Sequence, residues 1–297
     1  MTISNKQMAQ VAEEHIVVNG NCRLAVKIYP RPESETVILL HGGPGVPDEI
    51  TEVREILAEK LQVITFDQRG IGMQDVDGLS FDMAGFISDI NSIAGYFNLR
   101  SFHLFGHSWG GLYAQLYAHD FPQRIQSLFL CSPASGTGRQ WEQTEHEVFQ
   151  YNKERSTLAE WIGMGLNTAL GLLGSKKAYR SLFRQIIINY HKGYGVEPPD
   201  EKKLARINSR AGTKTRLAIK KHPVLGAFGK TPYPVIITYG QFDAYGASRQ
   251  WVIERFPDAQ LAIIPASGHT PWKHNLPEFK IVLSAFYQEI CLKQGGF

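Results

Sequence analysis

The segment Phe102-His-Leu-Phe-Gly-His-Ser-Trp-Gly-Gly-Leu112 constrains this chain more than any other. An apolar run, Phe102 to Phe105, leads into Gly106-His107-Ser108-Trp109-Gly110, and helical spacing follows from Leu112 to His119, with Pro122 past its end. A bare G-x-S-x-G arises by chance, so the strand before it and the helix after it carry the argument. A serine on so sharp a turn needs neighbours without Cβ atoms, and Gly106 and Gly110 supply them. Ser108 Oγ is then lifted above the sheet edge, where the dipole of the following helix points. The pattern predicts a nucleophile; the alternative is a glycine-rich turn with an inert serine.

Elsewhere the chain alternates strand and helix signals. His15–Val18 and Arg23–Tyr29 flank Asn19-Gly20-Asn21 and predict a hairpin. Thr36–Leu40, Gln62–Phe66 and Ser127–Leu130 are short apolar runs of the kind buried in parallel sheets. Val235–Tyr239 and Leu261–Ile264 resume that pattern, and a helix over about 277–292 closes the chain. Between them the reading changes to helices: Glu142–Asn152, Leu158–Leu173 and Ala178–Tyr190. The expected organisation is an α/β core, 1–132 and 231–297, carrying an inserted helical cap, 133–230.

Charge follows the same division. The 297 residues hold 31 Lys and Arg against 28 Asp and Glu, a formal +3. Residues 133–230 hold 17 basic and 8 acidic side chains, a net of +9, which leaves −6 on the rest. A solvated helical surface is the plain reading of the excess. The small total argues against a polybasic nucleic-acid binder. Cys22, Cys131 and Cys291 are scattered and odd in number, so neither a disulfide framework nor a cysteine metal site is expected. HExxH is absent, and no cofactor or metal is expected. The polar Met1–Gln10 has no apolar signal core, and no run reaches the 18–20 residues that span a bilayer. A cytoplasmic protein with no membrane partner is expected, with Gln294–Phe297 as a frayed tail.

The chemistry of the turn requires partners for Ser108. His41-Gly-Gly-Pro-Gly45 follows the strand Thr36–Leu40 and can present backbone N–H groups to an oxyanion. Gly43 is the expected donor there, with the N–H of Trp109 as the second. The rival is a phosphate cradle, but no G-x-x-x-x-G-K-[ST] is present. In this arrangement the acid precedes the histidine. Asp243, in Tyr239-Gly-Gln-Phe-Asp243, and His269, in Ser267-Gly-His269, each follow a late strand. His269 is the expected base and Asp243 its orienting acid. His274 and Asp258 are the reserve base and acid. His107 is expected to be turned away by the elbow, and His41 to order its own turn.

Together these residues resemble the α/β-hydrolase fold, and within it the proline iminopeptidase family. The narrower likeness rests on His41-Gly-Gly-Pro-Gly45, Asp67-Gln-Arg-Gly70, Gly106-His-Ser-Trp-Gly-Gly111, Asp243 and Ser267-Gly-His269. It implies a mostly parallel eight-stranded sheet flanked by helices, with a cap. It implies a serine hydrolase that releases N-terminal residues, proline preferred, from short peptides. It also implies cap carboxylates that bind the substrate's free amine; Glu142 and Glu145 are the first candidates, then Glu147, Glu197 and Glu201. Asp67 and Arg69 are expected to shape the turn after their strand through a short-range carboxylate–guanidinium contact. The +9 cap favours a different substrate, a neutral or anionic small molecule opened by an esterase, lactonase or carbon–carbon bond hydrolase. A receptor that only binds a small molecule is the third possibility.

Overall fold

The computed structural model describes residues 11–47, 50–71 and 76–294, and side chains as far as Ile290. Met1–Gln10, the side chain of Cys291 and the last three residues of the expected tail lie outside the described residues. Eight strands form one sheet: β1 (Glu13–Asn19), β2 (Cys22–Tyr29), β3 (Thr36–Leu40), β4 (Gln62–Phe66), β5 (Phe102–His107), β6 (Ile125–Cys131), β7 (Val235–Gly240) and β8 (Gln260–Ile264). Their order is β1-β2-β4-β3-β5-β6-β7-β8. β1–β2 and β2–β4 are antiparallel and every other pairing is parallel. The β1–β2 hairpin turns on Gly20-Asn21, with Asn19 opposite Cys22 and Gly20 at φ +56°. That left-handed backbone is what the Asn-Gly signal predicts.

The central strands are apolar throughout because both faces are covered. Ile38, Leu40, Phe102, Leu104, Leu128 and Leu130 enter one core with α2 (Met83–Tyr96) and α3 (Trp109–Asp120). Val37, Leu39, Phe105 and Phe129, the alternate residues, enter a second core with α1 (Thr51–Ala58) and α11 (Leu276–Gln294). A side-chain period of two divides each strand between the two layers. β8 lies at the sheet edge, where Leu261 and Ile263 remain about half exposed.

The stretch between β6 and β7 is helical: α4 (Arg139–Arg155), α5 (Leu158–Leu172), α6 (Lys176–His191), α7 (Glu201–Ala205) and α8 (Ser209–Lys221). Thr157 and Glu160 close a capping box at the start of α5. α9 (Arg249–Arg255) and α10 (Pro271–His274) follow β7 and β8. The sequence reading named α4, α5 and α6 but not α7 or α8. α8 is rich in Lys, Arg and Thr and buries only Ala211, Gly212, Thr215 and Ile219, too sparse a stripe to stand out. Among the described residues, no helix is long and apolar enough to cross a membrane.

Candidate active site

The elbow is built by exclusion. Ser108 adopts φ 56° and ψ −120°, between the end of β5 and the first turn of α3. A Cβ on Gly106 would collide with the Gly110 backbone, and one on Gly110 with the carbonyls of Leu40 and His41. A Cβ on Gly111 would come within 2.7 Å of Pro133. Strand, turn and helix therefore pack at a separation only glycine permits.

The structure brings Ser108, Asp243 and His269 into one hydrogen-bonded row. His269 Nε2 lies 3.0 Å from Ser108 Oγ, and His269 Nδ1 lies 2.9 Å from Asp243 Oδ1. Asp243 Oδ2 accepts from Ser132 Oγ at 2.5 Å, and Oδ1 also accepts from the Tyr245 amide at 3.1 Å. Burial pushes the Asp243 carboxyl up, but the His269 ring, Ser132 and the Tyr245 amide outweigh it, and the net shift is downward. A carboxylate only accepts, so Nδ1 of neutral His269 carries the proton and Nε2 accepts from Ser108. The Tyr245 hydroxyl lies 3.1 Å from Ser108 Oγ and is therefore the donor in that contact. Burial raises the pKa of Tyr245, which keeps its O–H intact at neutral pH.

Sequence reasoning missed Ser132 and Tyr245. Ser132 follows the end of β6, and Tyr245 lies two residues beyond Asp243, so strand ends were the available signal. It also misjudged His107. That side chain is not turned away: it lines the cavity beside Ser108, and its Nε2–H donates to the His269 carbonyl at 2.9 Å. It therefore anchors the backbone of the base. His274 Nδ1 accepts from the Gly268 amide at 2.9 Å, which holds the same loop from the other side. Asp258 is exposed on the turn before β8.

Gly43, at φ +136°, lines the same cavity as Ser108. Trp109 opens α3, so its N–H belongs to the first-turn amides that have no intrahelical acceptor. Gln68 clamps the two segments together: its Nε2 donates to the His41 carbonyl at 2.7 Å, and its Oε1 accepts from Trp109 Nε1 at 2.8 Å. The Asn208 amide donates to the Gly45 carbonyl at 2.9 Å, tying the loop to the start of α8. The expected contact between Asp67 and Arg69 does not form. Arg69 reaches Asp89 instead, Nε to Oδ2 at 3.0 Å and the terminal nitrogen to Oδ1 at 2.7 Å, while Asp67 pairs with Arg206. The chain turns at Arg69 and Gly70, the latter at φ +81°, and each side chain meets a partner from another segment.

The cavity measures about 840 Å³ and is walled largely by Trp141, Phe149, Trp161, Met164, Phe183 and Tyr190. Of the expected amine-binding acids, Glu145 and Glu197 line it; Glu142, one helical turn before Glu145, is exposed and does not. Glu145 is paired with Lys220 at 2.7 Å. Glu147 accepts from the Gly246 and Ser248 amides and the Ser248 hydroxyl, which fixes the loop after Asp243. Glu201 pairs with Arg184 at 2.7 Å, and Glu197 is exposed on the cavity's border.

Known proteins of similar sequence include proline iminopeptidases. A proline iminopeptidase of Lactobacillus helveticus (strain DPC 4571) is 34% identical over 127 residues, 41% of this chain and 43% of that protein. The match therefore spans less than half of that relative's length. One from Levilactobacillus brevis is 24% identical over 253 residues, 78% of this chain and 81% of its own. The crystal structure of the Mycobacterium smegmatis proline iminopeptidase superposes with a TM-score of 0.66, covering 95% of this chain and 100% of that one. At 18% identity that likeness speaks for the fold alone. Sheet order, elbow and family model, the last matching residues 35–272, agree: the chain belongs to the alpha/beta hydrolase fold family.

Proposed function

We propose that this chain is a serine hydrolase working through an acyl-enzyme. The row Asp243–His269–Ser108 is the observation that carries the reading. Ser108 Oγ attacks a carbonyl as His269 Nε2 takes its proton. The N–H groups of Gly43 and Trp109 receive the oxyanion, each worth about 2.7–4 kcal/mol in comparable sites. His269, its charge balanced by Asp243, returns the proton to the leaving group, and water then releases the acyl half by the reverse route. The relatives' name favours a short peptide with a free N-terminal proline, whose ammonium would meet Glu145. A second reading, an ester, lactone or carbon–carbon bond in a small molecule, is favoured by Glu145 being already paired with Lys220 and by the apolar wall.

A fluorophosphonate should label the protein once, at Ser108, as located by peptide mass spectrometry. Ser108→Ala should remove the label and lower turnover about 10⁴-fold or more. Activity surviving in that variant refutes the assignment. Comparing proline-β-naphthylamide, its N-blocked form and a p-nitrophenyl ester separates the substrates. Strong preference for the free amine supports the peptidase; equal use of blocked or ester substrates rejects it.

A further inference from the structure

Glu145 and Arg216 line both the large cavity and an adjoining pocket of about 180 Å³, whose wall includes Thr168, Tyr179, Thr213 and Lys220. Lys220 Nζ meets Glu145 Oε2 at 2.7 Å. Arg216 Nε is 3.8 Å from Glu145 Oε1, beyond hydrogen-bonding distance. One carboxylate against two cations leaves this corner one positive charge in excess. Two buried donors there are also without acceptors among the described residues, Arg216 Nε and the Tyr179 hydroxyl, the latter on a residue only 8% exposed. Interiors seldom leave such groups unpaired, since each costs about 1–3 kcal/mol.

An anionic acceptor answers both the excess charge and the idle donors. A guanidinium, a phenol and an ammonium lining one pocket suit the two oxygens of a carboxylate. We propose that Arg216, Lys220 and Tyr179 form a carboxylate-binding subsite, and that the substrate of Ser108 carries a carboxylate remote from its scissile carbonyl. The second half rests on the serine-hydrolase reading. The subsite makes the apolar wall between it and Ser108 the place for the substrate's hydrocarbon part.

Calorimetric titration of the whole protein with linear α,ω-dicarboxylates of four to ten carbons tests the subsite directly. At least one chain length should bind, and Arg216→Gln should weaken it about 30-fold. Tyr179→Phe should weaken it about fivefold. Glu145→Gln should tighten binding several-fold, because it releases Lys220; a gain of affinity cannot come from misfolding. Absence of binding at every length, unchanged binding in Arg216→Gln, or weaker binding in Glu145→Gln overturns the proposal. Half-esters of the same diacids with p-nitrophenol should be preferred over the neutral esters, with that ratio falling in Arg216→Gln. Fluorophosphonate labelling of the same preparation separates the two readings: labelling without dicarboxylate binding sinks the subsite alone. Binding without labelling sinks the hydrolase and leaves the subsite standing.

Discussion

Tyr245 is the residue whose chemistry goes beyond a bare serine–histidine–aspartate row. Its ring stands edge-on to His269, centroids 4.7 Å apart at 75°, and its hydroxyl reaches Ser108 Oγ. It therefore touches both the nucleophile and the base of the proposed acyl-enzyme route. Once Oγ becomes an ester oxygen, that O–H is free to bond the departing atom. Tyr245→Phe should cost about tenfold more in kcat for an amide or alkyl ester than for a p-nitrophenyl ester, whose leaving group departs without a proton. Equal losses on all substrates would instead assign the hydroxyl to ordering Ser108 at rest. The sequence motifs do not contain Tyr245, and its place two residues beyond Asp243 was the one pointer to it. Ser108, Asp243 and His269 were legible, because a strand-end motif fixes the place and order of each.

At the scale of elements, a motif announces that a loop is shaped but not which partners shape it. Asp67-Gln-Arg-Gly70 illustrates this. Gln68 joins His41 to Trp109, Asp67 reaches Arg206 at the end of α7, and Arg69 is sealed into α2. The Arg69–Asp89 pair is 6% and 0% exposed, and Arg69 also donates to the carbonyls of Ser80 and Gly85. Removing one partner of such a pair leaves a bare charge inside, which costs about 3–5 kcal/mol. Asp89→Ala should therefore lose stability of that order in urea unfolding, whereas Arg69→Met with Asp89→Leu should recover most of it. A double variant as unstable as the single one would show that the pair itself, and not the orphaned charge, holds α2 to the turn. The strands were readable at this scale because both faces are apolar; α8 was not, because few of its positions touch the core.

Across the whole molecule, the charge division of the sequence has a spatial meaning. Arg206 and Arg210 of the helical segment meet Asp67 and Asp77 of the sheet-bearing part, so some of the +9 faces some of the −6. Such half-exposed pairs contribute about 0–1 kcal/mol each. The firmer joint is aromatic and lies beside the site. Tyr194 stacks on His274 at 3.7 Å between centroids, and His191 Nδ1 lies 2.9 Å from His274 Nε2. Burial, with His191 and His269 nearby and Arg155 further off, lowers the His274 pKa from 6.5 to about 3, against an opposing pull from Asp243. The folded protein thus keeps this ring neutral where the unfolded chain takes up a proton. Unfolding gains that proton below about pH 6.5, so stability should fall as pH drops through this range and level off near pH 3. Asp243, whose pKa is depressed, adds its own loss only below the ordinary carboxylate range near pH 4, while Asp89, whose pKa burial raises, acts in the opposite sense above it, so a His274 variant is needed to isolate the histidine's share. His274→Asn keeps an acceptor for the Gly268 amide but cannot titrate. It should lower stability by a constant amount, through the lost stacking, and flatten the slope of unfolding free energy against pH between 4 and 6.5. A slope identical to that of the parent protein would show that the joint between cap and sheet does not sense protons through His274.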